Sequence, residues 1–115
     1  MVFEESMLEL DESNYTNFLN NDICVLHFFS DCQMNCLMTM PMIEDVAQEF
    51  REKGEIYFGK VNIDDFEEIA RAHKVFGVPT LIFLRGGQQI DRIEFSISED
   101  VLRDKLSSLL SVCAG

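Results

Sequence analysis

The stretch ICVLHFF, Ile23 to Phe29, constrains the fold more than any other feature of the chain. A strand with one face in water alternates apolar and polar residues, whereas a run without alternation has to be covered on both faces. A sheet with helices on both sides is therefore expected around it.

The rest of the chain supplies the covering elements. A short apolar start from Met7 to Leu10 leads to a small helix, for which Asp11 and Ser13 offer caps and whose Tyr15, Phe18 and Leu19 share a face. After the apolar run, Ile43, Val46, Ala47 and Phe50 recur at helical spacing, and Pro41 is expected to kink that helix near its start. Glu55 to Ile63 reads as a second long strand, and Phe66, Ile69, Ala70 and His73 mark one face of another helix. TLIFL and QQIDRIEF flank Gly86-Gly87, which signals a hairpin. Ser96 with Glu99 forms a candidate capping box for a last helix, whose Leu102, Leu106 and Leu109 face inward. The order β-α-β-α-β-α-β-β-α describes an α/β chain with a central mixed sheet flanked by helices on both faces. With 115 residues, 47% of them hydrophobic, there is material for one core, so a single domain over residues 1–112 with a tail at 113–115 is expected.

Charge removes several functions. At a formal −12 the surface repels phosphate backbones and anionic headgroups, so neither nucleic acid nor a membrane surface is an expected partner. The opening MVFEESMLEL lacks the basic and continuous apolar parts of a secretory signal, and no later run is long enough to span a bilayer, so a cytoplasmic setting is expected. In that reducing environment the four cysteines read as thiols, ligands or a catalytic couple, not as a structural disulfide framework. Nothing in the pattern asks for a cofactor.

Two of the cysteines, Cys32 and Cys36, fall where the apolar strand gives way to the helix. In an open α/β sheet, the carboxyl edge of a central strand is the usual place for a site. At this point VLHFFSDCQMNC, KVNIDD and FGVPTLIFLRGGQ together resemble the thioredoxin family from roughly Met7 to Leu110. The resemblance implies a thioredoxin fold, thiol-disulfide exchange on protein disulfides, an unidentified electron donor, and a cis proline at Pro79 beside the active site.

The chemistry-bearing loop departs from the family pattern. Aligned without gaps, Cys36 and Pro41 match the second cysteine and the helix proline, the first cysteine falls on Gln33, and Cys32 takes a tryptophan position. The loop is thus C-x-x-x-C. The family nucleophile is a thiolate favoured by the helix amino terminus, and an amide cannot replace it.

Two readings follow. In one, Cys32 attacks and Cys36 resolves, through a bridge that needs a distorted first turn and gives a strained, relatively oxidising couple. In the other the pair never closes, Cys36 is a small buried hydrophobe, and the domain binds peptides or partners without electron transfer.

Neighbouring residues bear on the choice. His27 stands where the family has a buried acid, so it is a candidate proton acceptor for Cys36 near pH 7, or else a core histidine bonded to a backbone carbonyl. Lys60 either lowers the imidazole pKa or sits at a strand edge as a solvated charge. By the resemblance, Val78 and Pro79 pair with an extended substrate, while Phe95 replaces a glycine and makes the groove narrower or more apolar.

Met34, Met38, Met40 and Met42 beside the cysteines raise a Cu(I) alternative, against which methionines at helical spacing are ordinarily core filler. No metal site is expected. Cys24 reads as inert packing and Cys113 as an exposed thiol, while Asp64 and Asp65 read as caps of the following helix.

Overall fold

The computed structural model describes residues 7–54 and 56–114, with side chains as far as Leu110. The elements follow the expected order: β1 (Leu8–Glu9), α1 (Tyr15–Phe18), β2 (Ile23–Phe29), α2 (Met34–Lys53), β3 (Ile56–Asn62), α3 (Glu67–Ala72), β4 (Thr80–Arg85), β5 (Gln88–Glu94) and α4 (Glu99–Ala114). They form one five-stranded mixed sheet in the order β1-β3-β2-β4-β5. The βαβ passes make β1 and β2 parallel to β3, the hairpin makes β4 antiparallel to β5, and β4 also runs antiparallel to β2.

The unbroken apolar run is β2, the central strand, and all seven of its residues are buried. Successive side chains of a strand point to opposite faces. Ile23 and Val25 join a core with Ile43, Val46, Ala47 and Phe50 of α2 and Leu102, Leu106 and Leu109 of α4. Cys24, Leu26 and Phe28 join a second core with Phe18 of α1 and Ile69 and Ala70 of α3. Each large side chain buried this way contributes roughly 1.5–3 kcal/mol, which is why β2 tolerates almost no polar residue.

Several ends differ from the sequence reading. The residue before α1 is Asn14, while the Asp11 carboxylate accepts from the Ser13 and Asn14 amides and makes a tight turn ahead of the helix. The cap of α4 is Ser98, whose Oγ accepts from the Val101 amide at 3.2 Å, so Ser96 and Glu99 do not form a box. Ser96 belongs instead to the turn after β5, where its amide is bonded to the Glu94 carbonyl at 2.7 Å. The helix α4 continues through Ala114, past 112, because nothing in SVCA breaks it before Gly115. Cys113 is therefore helical in backbone, and its expected exposure lies outside the described side chains. The second long strand starts at Ile56, with Glu55 outside the described residues. At the hairpin, Gly86 and Gly87 take φ values of 57° and 82°, the left-handed pair a two-residue turn between twisted strands requires. Pro41 lies inside α2, which continues through it as one element.

Candidate active site

β2 ends at Phe29 and delivers the chain to a short loop, Ser30 to Gln33, before α2 begins. Gln33 occupies the N-cap with extended backbone, φ −110° and ψ 121°, and its side chain makes no capping bond. Its carbonyl accepts from both the Cys36 and Leu37 amides, at 3.1 and 3.2 Å, so the first turn is tightened at the second cysteine. Cys32 precedes the cap and is exposed, while Cys36 is fully buried, and both are free thiols. Burial pushes the Cys36 thiol above its ordinary range, a hydrogen bond with the Ser30 main chain works against that, and the Asp64 charge adds to it.

The loop is tied to the end of β3 by side chains that the sequence reading had not assigned to the site. The Ser30 hydroxyl donates to Asp64 Oδ2 at 2.6 Å and accepts from the Cys32 amide at 3.1 Å. Asn62 Nδ2 donates to Asp31 Oδ2 at 3.0 Å, and Asn62 Oδ1 accepts from the Asp64 amide at 3.0 Å. Asp64 is thus not a helix cap: the residue before α3 is Phe66, with no side-chain capping bond. The available signal was the placement of a serine at the end of β2 and of Asn62 and Asp64 at the end of its parallel neighbour, polar groups brought to one sheet edge.

His27 pairs in register with Lys60 on one side and Leu81 on the other. On β2 it shares a face with Ile23 and Val25, which pack on α2. The ring is 0% exposed, and neither nitrogen has a hydrogen-bond partner among the described residues. The carbonyl bond of the ordinary core histidine is therefore not made. Burial, and secondarily the Lys60 charge, lower its pKa from 6.5 to about 3. His27 is accordingly neutral at pH 7 but a far weaker base than the sequence suggested, because in this pocket the imidazolium loses its hydration without gaining a counter-ion. Lys60 is not a solvated edge charge: it lies on an inner strand with a side chain 13% exposed and pairs with Glu44 at 3.4 Å.

The Val78-Pro79 peptide is cis. Because Phe28 pairs with Thr80, Pro79 comes to the same sheet edge as the cysteine loop. Phe95 is drawn to this segment: its amide donates to the Pro79 carbonyl at 2.7 Å, and its backbone takes φ 65°, a left-handed value. Such a φ costs a residue bearing a Cβ roughly 1–2 kcal/mol, and glycine nothing comparable. The ring packs on Gly77 so closely that a Cβ there would lie 2.3 Å from Phe95 Cε1. Beside it Phe76 is 86% exposed. Gly77 and Phe76 were not singled out from sequence.

The methionines divide. Met42 packs on the core, but Met34 and Met38 are 67% and 75% exposed, so the core-filler expectation fails for these two because they fall on the outer side of the first turns of α2. Among the described residues no group of three or more His, Cys, Asp or Glu side chains is arranged to hold a metal ion. His73 is engaged with the Tyr15 hydroxyl. Cys24 is buried, its thiol bonded to the Phe18 and Asn21 carbonyls, and burial raises its pKa to about 11, as an unreactive packing thiol requires. A cavity of about 950 Å³ lies near Asn21, Arg51 and Ile56 at the opposite end of the sheet from the cysteines.

Comparison with known proteins gives the family and the fold. The thioredoxin family model matches residues 6–108. A thioredoxin of Chlamydia caviae is 31% identical over 80 residues, covering 70% of this chain and 76% of that protein. Thioredoxin 1 of Nostoc sp. is 29% identical over 93 residues, 80% of this chain and 85% of that one. Among solved structures, Fasciola hepatica thioredoxin superposes with a TM-score of 0.74 at 28% identity, over 89% of this chain and 98% of that chain. A mutant thioredoxin from Halobacterium salinarum, with a TM-score of 0.78, 24% identity and 94% and 95% coverage, shares the fold.

Proposed function

Because the chain belongs to the thioredoxin family, we propose that it exchanges thiols and disulfides with protein substrates through Cys32 and Cys36. The carrying observation is the asymmetry of the pair at the amino end of α2: Cys32 open to a partner, Cys36 enclosed one turn behind it. In this reading the Cys32 thiolate attacks one sulfur of a substrate disulfide. The new S–S bond forms as the old one breaks, and the departing substrate sulfur takes a proton. Cys36, once deprotonated, attacks Cys32 and releases the second substrate thiol, leaving a Cys32–Cys36 disulfide that an electron-donating dithiol reduces.

His27 belongs to this proposal as a neutral group on the strand that leads into the cysteine loop, able to take the Cys36 proton only as far as a base titrating near 3 can. Val78 and Pro79 offer the backbone edge for an extended substrate, and Phe95 and Phe76 flank it. The reading places the chain in a reducing compartment, the cytoplasm, with disulfide-bearing proteins and a dithiol donor as partners, and without nucleic acid or membrane. No helix among the described residues is long and apolar enough to cross a membrane.

Trapping tests the reading. Cys36→Ser is expected to accumulate a mixed disulfide between Cys32 and substrate protein, and Cys32→Ser is not. A folded Cys36→Ser protein that traps nothing on Cys32, in the presence of oxidised substrate, would leave the redox reading without support. The alternative is a partner-binding module without electron transfer, which the exposed Phe76, Met34 and Met38 favour. It requires Cys32→Ser to bind partners as tightly as the native protein.

Phe95 yields a separate expectation. Its ring covers Gly77 next to the substrate edge, so Phe95→Gly should widen the groove while removing the left-handed strain. For bulky protein disulfides kcat/KM is expected to rise about fivefold, equivalent to roughly 1 kcal/mol, with little change in thermal stability. A fall in kcat/KM would mean that the ring binds substrate instead of obstructing it.

A further inference from the structure

We propose that Ser30 and Asp64 are positioning residues, a hydroxyl–carboxylate latch that holds Cys32 in place for closure onto Cys36. This rests on the redox reading of the pair and adds to it the device that sets how readily the pair closes.

The geometry is specific to the loop. Ser30 is 2% exposed, and its single hydroxyl serves two partners, accepting the Cys32 amide at 3.1 Å and donating to Asp64 Oδ2 at 2.6 Å. Those partners belong to different loops, one following β2 and one following β3, and Ser30 and Asp64 lie 34 residues apart. A second tie runs in parallel, from Asn62 to the Asp31 carboxylate, and Asn62 also holds the Asp64 amide. The residue before Cys32 and the residue before that are thus both fixed to the end of β3. Behind Cys32 the Gln33 carbonyl is held by two amides of α2. The exposed cysteine therefore stands between two anchored segments and is not at the tip of a free loop.

Closure is an intramolecular displacement. The Cys36 sulfur attacks the Cys32 sulfur of a mixed disulfide, the Cys32–Cys36 bond forms, and the substrate sulfur leaves with the electron pair and is protonated. Its equilibrium depends on the effective concentration of one sulfur at the other, which ordering of the intervening loop raises. The latch also bears on Cys36 itself, since the Ser30 main chain is bonded to that thiol and the Asp64 charge acts on it. With the hydroxyl removed, Cys32 gains freedom and the Asp64 carboxylate turns to solvent. The first change disfavours the disulfide and so makes the couple more oxidising. The second removes a charge that opposes the Cys36 thiolate, which bears on how fast Cys36 attacks and not on the protonated dithiol form.

The test is a glutathione redox titration of the full chain, with free thiols alkylated at each step and the Cys32–Cys36 disulfide located by mass spectrometry. The native protein is compared with Ser30→Ala, Asp64→Ala, the double variant and Ser30→Thr, each first shown to be folded by its thermal transition. Ser30→Ala and Asp64→Ala are each expected to lower the closure constant about tenfold, a rise of about 30 mV in potential for a two-electron couple. The double variant should match Ser30→Ala, because that substitution already removes both hydroxyl bonds, the one to Asp64 included. Ser30→Thr keeps the hydroxyl and should stay within about threefold of the native constant. Native closure constants in folded Ser30→Ala and Asp64→Ala, or effects that add in the double variant, would overturn the latch and leave the redox reading standing. Absence of a Cys32–Cys36 disulfide in the native protein would remove that reading and the latch with it.

Discussion

Lowering the pH from 7 toward 3 is expected to strip the protein of up to about 5 kcal/mol of stability through His27 alone. Unfolded, this imidazole titrates near 6.5, and folded it titrates near 3, because burial first and the Lys60 charge second oppose the imidazolium. Between those values the unfolded chain binds a proton that the folded chain does not, so stability rises with pH across the window and falls on acidification. Above pH 6.5 the group contributes no penalty, and below about pH 3 it adds no further one. At about 1.4 kcal/mol per pH unit the full window approaches 5 kcal/mol, comparable with the whole stability of many small domains.

Carboxylates add to acid sensitivity only lower down. Asp91, held below its usual range by the Lys105 ammonium and the Arg92 amide against the effect of burial, gives up its share as pH falls through the lowered value. Between pH 6.5 and 4.5 the dependence comes from the two histidines, since burial and then the Arg92 charge also lower the His73 pKa from 6.5. His27→Leu should therefore reduce the dependence of the urea midpoint on pH over that range, leaving the smaller part that His73 contributes. It should also raise stability at pH 7 by about 1–3 kcal/mol, the cost of a buried donor left without a partner. A native midpoint that does not move between pH 7 and 5 would show that the ring is hydrated or bonded in solution and is not the acid-sensitive group.

The second large effect is a gain. Gln33 stands at the N-cap of α2, with extended backbone and no side-chain bond to the helix. A cap side chain reaches the free amides of the first turn, and a thiolate there would accept from them and from the helix dipole, worth up to about 2 kcal/mol in a partly buried setting. Gln33→Cys is accordingly expected to speed reduction of a protein disulfide by tenfold or more at pH 7, with the new thiol taking over from Cys32. Persistence of that gain in Gln33→Cys with Cys32→Ser would establish which thiol attacks. No gain in either background would place the limit in the groove formed by Val78, Pro79 and Phe95 and not in the nucleophile.

Much of the scaffold is legible from local pattern. ICVLHFF has no alternation and is the central strand; Ile43, Val46, Ala47 and Phe50 keep helical spacing and are buried; the paired glycines make the hairpin. These features depend on the period of a strand or helix and on the allowed φ of a turn residue, which act over a few neighbours. Ends were less legible. The cap of α4 moved from Ser96 to Ser98 because two serines compete within one turn, and the phase of the helix against the sheet decides between them. Asp64 was misassigned for a related reason: an acid before a helix has two possible partners, the helix amides and whatever stands across the sheet edge.

What the sequence alone determined, then, is the order and pairing sense of the elements and the placing of a C-x-x-x-C loop where a buried strand enters a helix. Only the tertiary structure decided that Cys36 is enclosed while Cys32 is open, that Ser30 meets Asp64, that His27 is buried without a partner, and that Phe95 lies on Gly77. Each of these depends on residues from separate elements meeting at one place. Periodicity along a chain specifies which face a side chain takes, but not which side chain of another element waits opposite it.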